Sequence, residues 1–276
     1  MSIKLTSTKN ASKKVKILVY GGAGMGKTVL CSTAPKPIII SAEAGLLSIS
    51  DFDIPVIEVK TVKDVMDAYE WITTSKEADK FETVCLDSVT EIAEVLLTQY
   101  KGEEKDPRKA YGRLNDDMST LIRSFRDLPN KHVYFTAKSI KKEDETSGIS
   151  VTRAAMPGNT LSNNLPYWFD ECLCLRIGKT PSGKEFRYLQ TSPELQFDAK
   201  DRSGTLSAME KPNITHIFNK IAKGKKKTVE VVKENEEHLK EEIVEEETET
   251  KKDPLVLNDE TSSDTKELET ETEAQL

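Results

Sequence analysis

A chain of 276 residues, 37% hydrophobic and 32% charged, can bury a sizeable core but is too charged for its whole length to pack. Residues 228–276 hold 18 acidic and 5 basic side chains, net −13, and residues 1–227 hold 35 basic and 29 acidic, net +6, a division common in proteins that touch nucleic acid. No apolar run approaches the ~18 residues of a membrane helix, and the basic start "MSIKLTSTKNASKKVK" lacks the apolar stretch of a secretory signal, so a cytoplasmic protein with no membrane partner is expected.

Residues 1–14 read as a flexible basic leader. Strand-like runs follow at 15–20, 37–42, 54–59, 81–87 and 132–137. Helical periodicity lies between several of them. It puts Val62, Val65, Met66, Tyr69 and Ile72 on one face, then Ile92, Val95, Leu96 and Tyr100, then Leu114, Met118, Leu121, Ile122 and Phe125, with Pro129 after the last helix. Short apolar strands alternating with helices imply an α/β fold, a mostly parallel sheet covered on both faces.

After Lys138 a long polar segment reads as a mobile loop or short hairpin. Strands return at 171–177 and 185–191, joined by "GKTPSGK" as a hairpin connection. From about residue 223 the chain is Glu- and Thr-rich with no aromatic residue, and a disordered acidic tail, 223–276, is expected. Cys31, Cys85, Cys172 and Cys174 have neither disulfide-framework nor Cys-x-x-Cys spacing. With His132, His216 and His238 scattered, buried thiols are expected rather than a metal centre.

The stretch "VKILVYGGAGMGKTVLCS" concentrates the chemistry. Gly21, Gly22, Ala23, Gly24, Met25, Gly26, Lys27 and Thr28 fit G-x-x-x-x-G-K-[ST] between a strand and a helix. Glycines let backbone N–H groups turn inward around phosphate oxygens, and the helix start adds its positive end. Lys27 is placed to reach the β- and γ-phosphates of ATP, and the Thr28 hydroxyl to ligate Mg²⁺. The dinucleotide fingerprint fails, because its third glycine position is Lys27.

Asp87, at the end of "FETVCLD", stands where a Walker-B aspartate would ligate the metal. The next position, where many P-loop ATPases carry a catalytic glutamate, is Ser88. Either the protein binds without hydrolysing, or the base comes from another strand. Glu43, after the apolar run "PIIISA", is the candidate.

A Walker-A strand, a strand ending in "SAE" before Gly and Leu, and an Asp-Ser Walker B together resemble the RecA-type core. "VYFTAKS" looks like its sensor strand, with Lys138 near the polar sensor. "AKDRSGTL", residues 199–206, looks like the Lys-x-Arg element, Lys200 and Arg202, that RecA-like rings and filaments insert into a neighbour's ATP site. "KAYGRLNDDMSTLIRSFRDLPNKHVYFTAK", and "LPYWFDECLCLRI" before "FRYLQTSPELQFDAKDRSGTLSAMEKPNITHIFNKI", are similar to the compact phage nucleotide-binding proteins, including the single-strand annealing recombinases.

The resemblance covers residues 15–222 and implies a RecA-like P-loop ATPase that uses ATP and Mg²⁺, assembles as a ring or filament and acts on single-stranded DNA. A single-strand binding protein is a further partner it suggests. In such proteins loops after the Walker-B and sensor strands bind DNA. Here Lys141, Lys142 and Arg153 could contact phosphates, with no aromatic for stacking; Tyr167, Trp168 and Phe169 are expected in the core. The leader is too short for the polymerisation arm of full-length RecA recombinases, a departure that counts against the expectation of a stable RecA-style filament. A small-molecule kinase or a non-hydrolysing, ATP-gated loader would share the loop.

Overall fold

A computed structural model describes residues 14–43, 45–143 and 148–224, so the leader up to residue 13 and the tail from residue 225 lie outside the described residues. The loop strand β1 (Lys16–Gly21) is followed by α1 (Lys27–Cys31), β2 (Pro37–Ser41), β3 (Val56–Glu58), α2 (Val62–Thr74), β4 (Thr83–Asp87), α3 (Val89–Glu103) and α4 (Pro107–Arg126). Then come β5 (His132–Glu143), β6 (Ser150–Ala154), α5 (Asn159–Asn164), β7 (Glu171–Lys179), β8 (Glu185–Gln190), β9 (Lys200–Asp201), β10 (Met209–Glu210) and α6 (Ile214–Lys223).

Eight strands run in the order β10-β8-β7-β1-β5-β4-β2-β3, with β6 paired to the far part of β5 and β9 to β7. From β7 to β3 every pairing is parallel, and the antiparallel β8 and β10 close one edge. This is an α/β sheet with the layout of a RecA-like ATPase core: β5 separates the loop strand from the strand that ends in Asp87.

Successive side chains on a strand face opposite sides, and the core divides accordingly. Leu18, Tyr20, Ile40, Leu86 and Phe135 pack with α2, α3 and α4, while Ile17, Val19, Ile39, Cys85 and Tyr134 pack with α1 and α6. All four cysteines are free and buried. Cys172 and Cys174 share one face, as the alternation requires.

Several elements differ from the sequence expectation. In α2 the buried stripe is Val65, Ala68 and Ile72, and Met66 is 55% exposed, one helical step round from Val65. The helix starts on a capping box, with Thr61 and Asp64 each accepting from the other's backbone N–H. The third of the periodic stretches, α4, begins earlier than its periodicity suggests, at Pro107, because proline suits a first turn and Asp106 caps it. The segment after Lys138 is a hairpin: β5 continues to Glu143 and returns as β6, with Ser139 opposite Ala154. Trp168 and Phe169 are buried, but Tyr167 is 75% exposed, turned outward by the three-residue turn of a 3₁₀ stretch, Leu165–Trp168. No helix among the described residues is long and apolar enough to cross a membrane.

One part-buried contact ties the residue before β1 to the start of β5. His132 Nδ1 accepts from the Val15 N–H at 3.0 Å, and its ring stacks on Phe218 with centroids 4.1 Å apart. Accepting at Nδ1 requires that nitrogen to be unprotonated. Burial, followed by Lys14 and Lys16, lowers the His132 pKa from 6.5 to about 4. The unfolded chain therefore binds a proton that the folded chain refuses, and stability falls as pH drops from 6.5 towards 4. Urea titrations across that window should show the fall in the wild type and a flatter profile in His132→Gln, which keeps an acceptor. Identical profiles would remove His132 as the source.

Candidate nucleotide-binding site

The parallel register brings the strand ends to one edge. Gly21 lies opposite Lys138, and Ser41 opposite Asp87. The loop between β1 and α1 curls over this edge with Gly24 at φ 70° and Gly26 at φ 103°, a left-handed backbone that side chains rarely adopt. A cleft of about 500 Å³ results, lined by the loop together with Glu43, Gly45, Ser48, Lys138 and Ser139. A hollow of about 430 Å³ lined by Phe52, Ile54 and Phe81 holds none of the loop's groups.

Lys27 Nζ donates to the carbonyls of Gly21 and Gly22, each at 2.9 Å. Burial lowers its pKa, opposed by the carboxylates of Glu43 and Asp87, and Lys138 lowers it further. An ammonium held by neutral carbonyls beside the loop amides suits a phosphate. Tyr134 fixes the start of α1 by donating its hydroxyl to the Lys27 carbonyl at 2.9 Å.

Asp87 is 1% exposed. Thr28 Oγ1 donates to its Oδ2 at 2.6 Å and Thr136 Oγ1 to its Oδ1. The peptide that follows, Asp87–Ser88, is cis. A carboxylate and a hydroxyl are hard oxygen donors that fit Mg²⁺, which takes few protein ligands and fills its shell from water and phosphate. Among the described residues no three His, Cys, Asp or Glu side chains gather as a metal set. Asp87 and Thr28 are the residues that would hold the ion, whose charge would neutralise the phosphates.

Glu43 lines the cleft and is held at both ends. Ser41 Oγ donates to its carbonyl at 2.8 Å, and Ser88 Oγ donates to its Oε1 at 2.6 Å. Lys138 also lines the cleft, with Nζ on Glu91 at 2.6 Å and Glu94 at 2.9 Å, bonds that raise its pKa.

The remaining sequence candidates lie elsewhere. Lys200 pairs opposite Cys172 near the start of β7, several residues short of the strand end that meets the loop. Its Nζ turns inward to the carbonyls of Pro166 and Phe169. Arg202, 56% exposed, bonds Asp170 and the Tyr167 carbonyl, each at 3.3 Å. Neither lines the cleft of its own chain.

On the hairpin, Lys142 and Arg153 occupy one face and Lys141 the other, because Ile140 pairs with Arg153 and Lys141 with Thr152. Arg153 is paired with Asp198 at 3.2 Å, Lys142 reaches Asn159 at 3.3 Å, and Lys141 is exposed.

Sequence reasoning missed Thr136, Tyr134 and the bond from Ser88 to Glu43. A threonine two places before Lys138, inside an apolar run, was the available signal for Thr136. Arg176, over the Phe197 ring at 3.9 Å, was also missed; it lines a hollow of about 270 Å³ that adjoins the loop at Gly21 and Gly22.

A family model described as an AAA domain matches residues 13–203. No curated protein matches the sequence. Among solved structures, a KaiC-like protein, PH0186, from the hyperthermophilic archaeon Pyrococcus horikoshii OT3 is 13% identical, with a TM-score of 0.34 over 63% of this chain and 76% of that one. An ATPase from the type III secretion system of pathogenic bacteria is 16% identical, with a TM-score of 0.39 over 59% of this chain and 51% of that one.

The geometry makes Lys27 the main cation of the cleft floor. Lys27→Ala should weaken ATP binding roughly 10- to 100-fold, the scale of a hydrogen bond to a charged group. Titration with a fluorescent ATP analogue checks this, and wild-type affinity would place the nucleotide elsewhere.

Proposed function

This chain belongs to the AAA-domain family of P-loop ATPases, and we propose that it hydrolyses ATP with Glu43 as general base and acts on single-stranded DNA as a self-assembling recombination protein of the phage annealing type. One observation carries the hydrolytic part. Glu43 enters the same cleft as Lys27 and Thr28, from β2, next to the strand that ends in Asp87. A carboxylate facing phosphate-binding and metal-ligating groups can take the proton of an attacking water. Lys27 and the loop amides then meet the charge that develops on the phosphates.

The DNA part is supported by the +6 charge of residues 1–227 and by the basic residues of the β5–β6 hairpin, which continues directly from the cleft residue Lys138. Self-assembly is supported by Arg202, half exposed and away from its own cleft, so that a second copy's nucleotide is the one it could serve. A second reading, a loader gated by ATP binding with slow hydrolysis, is favoured by Ser88 in place of a carboxylate after Asp87.

Phosphate release by the purified full-length chain, with and without single-stranded DNA, tests the proposal. Glu43→Gln should still bind ATP and turn over at least ~100-fold more slowly, the scale of general-base loss. Wild-type turnover in that variant would move the base elsewhere, and a rate indifferent to DNA would favour the loader. A mixture of Arg202→Ala and Lys27→Ala proteins should regain hydrolysis, since some interfaces pair an intact loop with an intact arginine. Co-assembled mixtures no more active than either variant would exclude action across the interface.

A further inference from the structure

The residue that stands where a base was expected is bonded to the base candidate itself. Ser88 is fully buried, and its hydroxyl has two partners of opposite kind. It accepts from the Glu91 N–H at 3.2 Å as the N-cap of α3, and it donates to Glu43 Oε1 at 2.6 Å. A hydroxyl has one proton, so with an N–H on its acceptor side that proton is aimed at the carboxylate. Ser41 holds the Glu43 backbone through both its N–H and its carbonyl. Glu43 Oε2 has no hydrogen-bond partner among the described residues and remains available to the cleft.

We propose that Ser88 is a positioning residue for hydrolysis: its hydroxyl holds one oxygen of Glu43 so that the other faces the attacking water. The inference rests on the assignment of Glu43 as base. Its rigidity comes from α3, whose first turn is tied to the strands on either side of the hairpin. Thr90 Oγ1 accepts from the Lys138 N–H at 3.0 Å and donates to the Ala155 carbonyl at 2.7 Å. Val89, Ile92 and Ala93 bury the same turn in the core. Ser88 thus refers the Glu43 carboxylate to a helix that cannot shift without breaking several bonds.

The test is a double-mutant cycle on the full-length chain, read by phosphate release and by equilibrium binding of mant-ATP. Ser88→Ala should lower kcat roughly 10- to 100-fold, the usual cost of removing an outer-shell hydrogen-bond partner, and leave mant-ATP affinity at the wild-type level. In a Glu43→Gln background, which has no base to orient, Ser88→Ala should lower turnover no further. Ser88→Cys fills the same space with a weak donor, should fall between wild type and Ser88→Ala, and carries the cycle if Ser88→Ala does not fold. Wild-type kcat in both Ser88 variants, beside a slow Glu43→Gln, overturns the positioning role alone. Equal losses from the Ser88 change in both backgrounds would reduce it to a helix cap. Wild-type turnover in Glu43→Gln would remove the base assignment, and the positioning role with it.

Discussion

The site depends on satisfying one buried carboxylate. Asp87 is all but inaccessible to solvent, and an ionised group there is costly unless nearby donors replace the water it has lost. The donors come from two elements, Thr28 on α1 and Thr136 on β5. For both to reach Asp87, β5 must lie beside β4 and α1 must sit over the strand ends. The observed order does this, with β5 between β1 and β4 and every strand of the central run ending at the same edge. Strand order, loop placement and the Thr28–Asp87 pair are therefore one constraint seen at three scales.

Helix α3 carries that constraint beyond the Thr28–Asp87 pair. It begins at Val89, capped by the Ser88 that follows Asp87, and buries Val89, Thr90, Ile92, Ala93 and Leu96. Its first two turns bind Glu43 through Ser88, the Lys138 backbone through Thr90, and the Lys138 ammonium through Glu91 and Glu94. The Glu91 and Glu94 pairs are partly exposed, so their strength is screened by water and salt. The Ser88 and Thr90 bonds lie deeper and set the geometry. The apolar stripe that docks α3 is thus what lets a few short polar contacts hold their positions.

Much of this was legible in the sequence, for physical reasons. The loop motif, the alternation of apolar strands with helices, and the aspartate at the end of an apolar run each follow from local patterns with a single structural solution. Tertiary facts were not. Met66 satisfies the helical period, yet the sheet accepts the neighbouring stripe of Val65, Ala68 and Ile72. Lys200 resembles the outward-reaching lysine of a Lys-x-Arg element, but its ammonium is spent on the carbonyls of Pro166 and Phe169, atoms more than thirty residues away. The link between Ser88 and Glu43 spans 45 residues and exists only because β2 and β4 are neighbours. Period and composition carry no information about which strand lies next to which.

The same geometry bears on how a nucleotide would be received. Each group aimed at the cleft already has a protein partner: Lys27 the loop carbonyls, Thr28 the Asp87 carboxylate, Glu43 the Ser88 hydroxyl and Lys138 two glutamates. Binding is therefore an exchange of hydrogen bonds, and its net gain is the difference between the two sets. The carbonyls on Lys27 are the weakest holders, since a phosphate offers charge where they offer only a dipole. Lys138 is the opposite case, because two carboxylates already hold its ammonium and a phosphate would have to displace them. Lys27 is accordingly the group that yields first to a phosphate, and Lys138 responds only if α3 or the hairpin base moves. That ordering makes Lys27 and the loop carbonyls the contacts most ready to be exchanged for a phosphate, and the contacts of Lys138 with α3 the least.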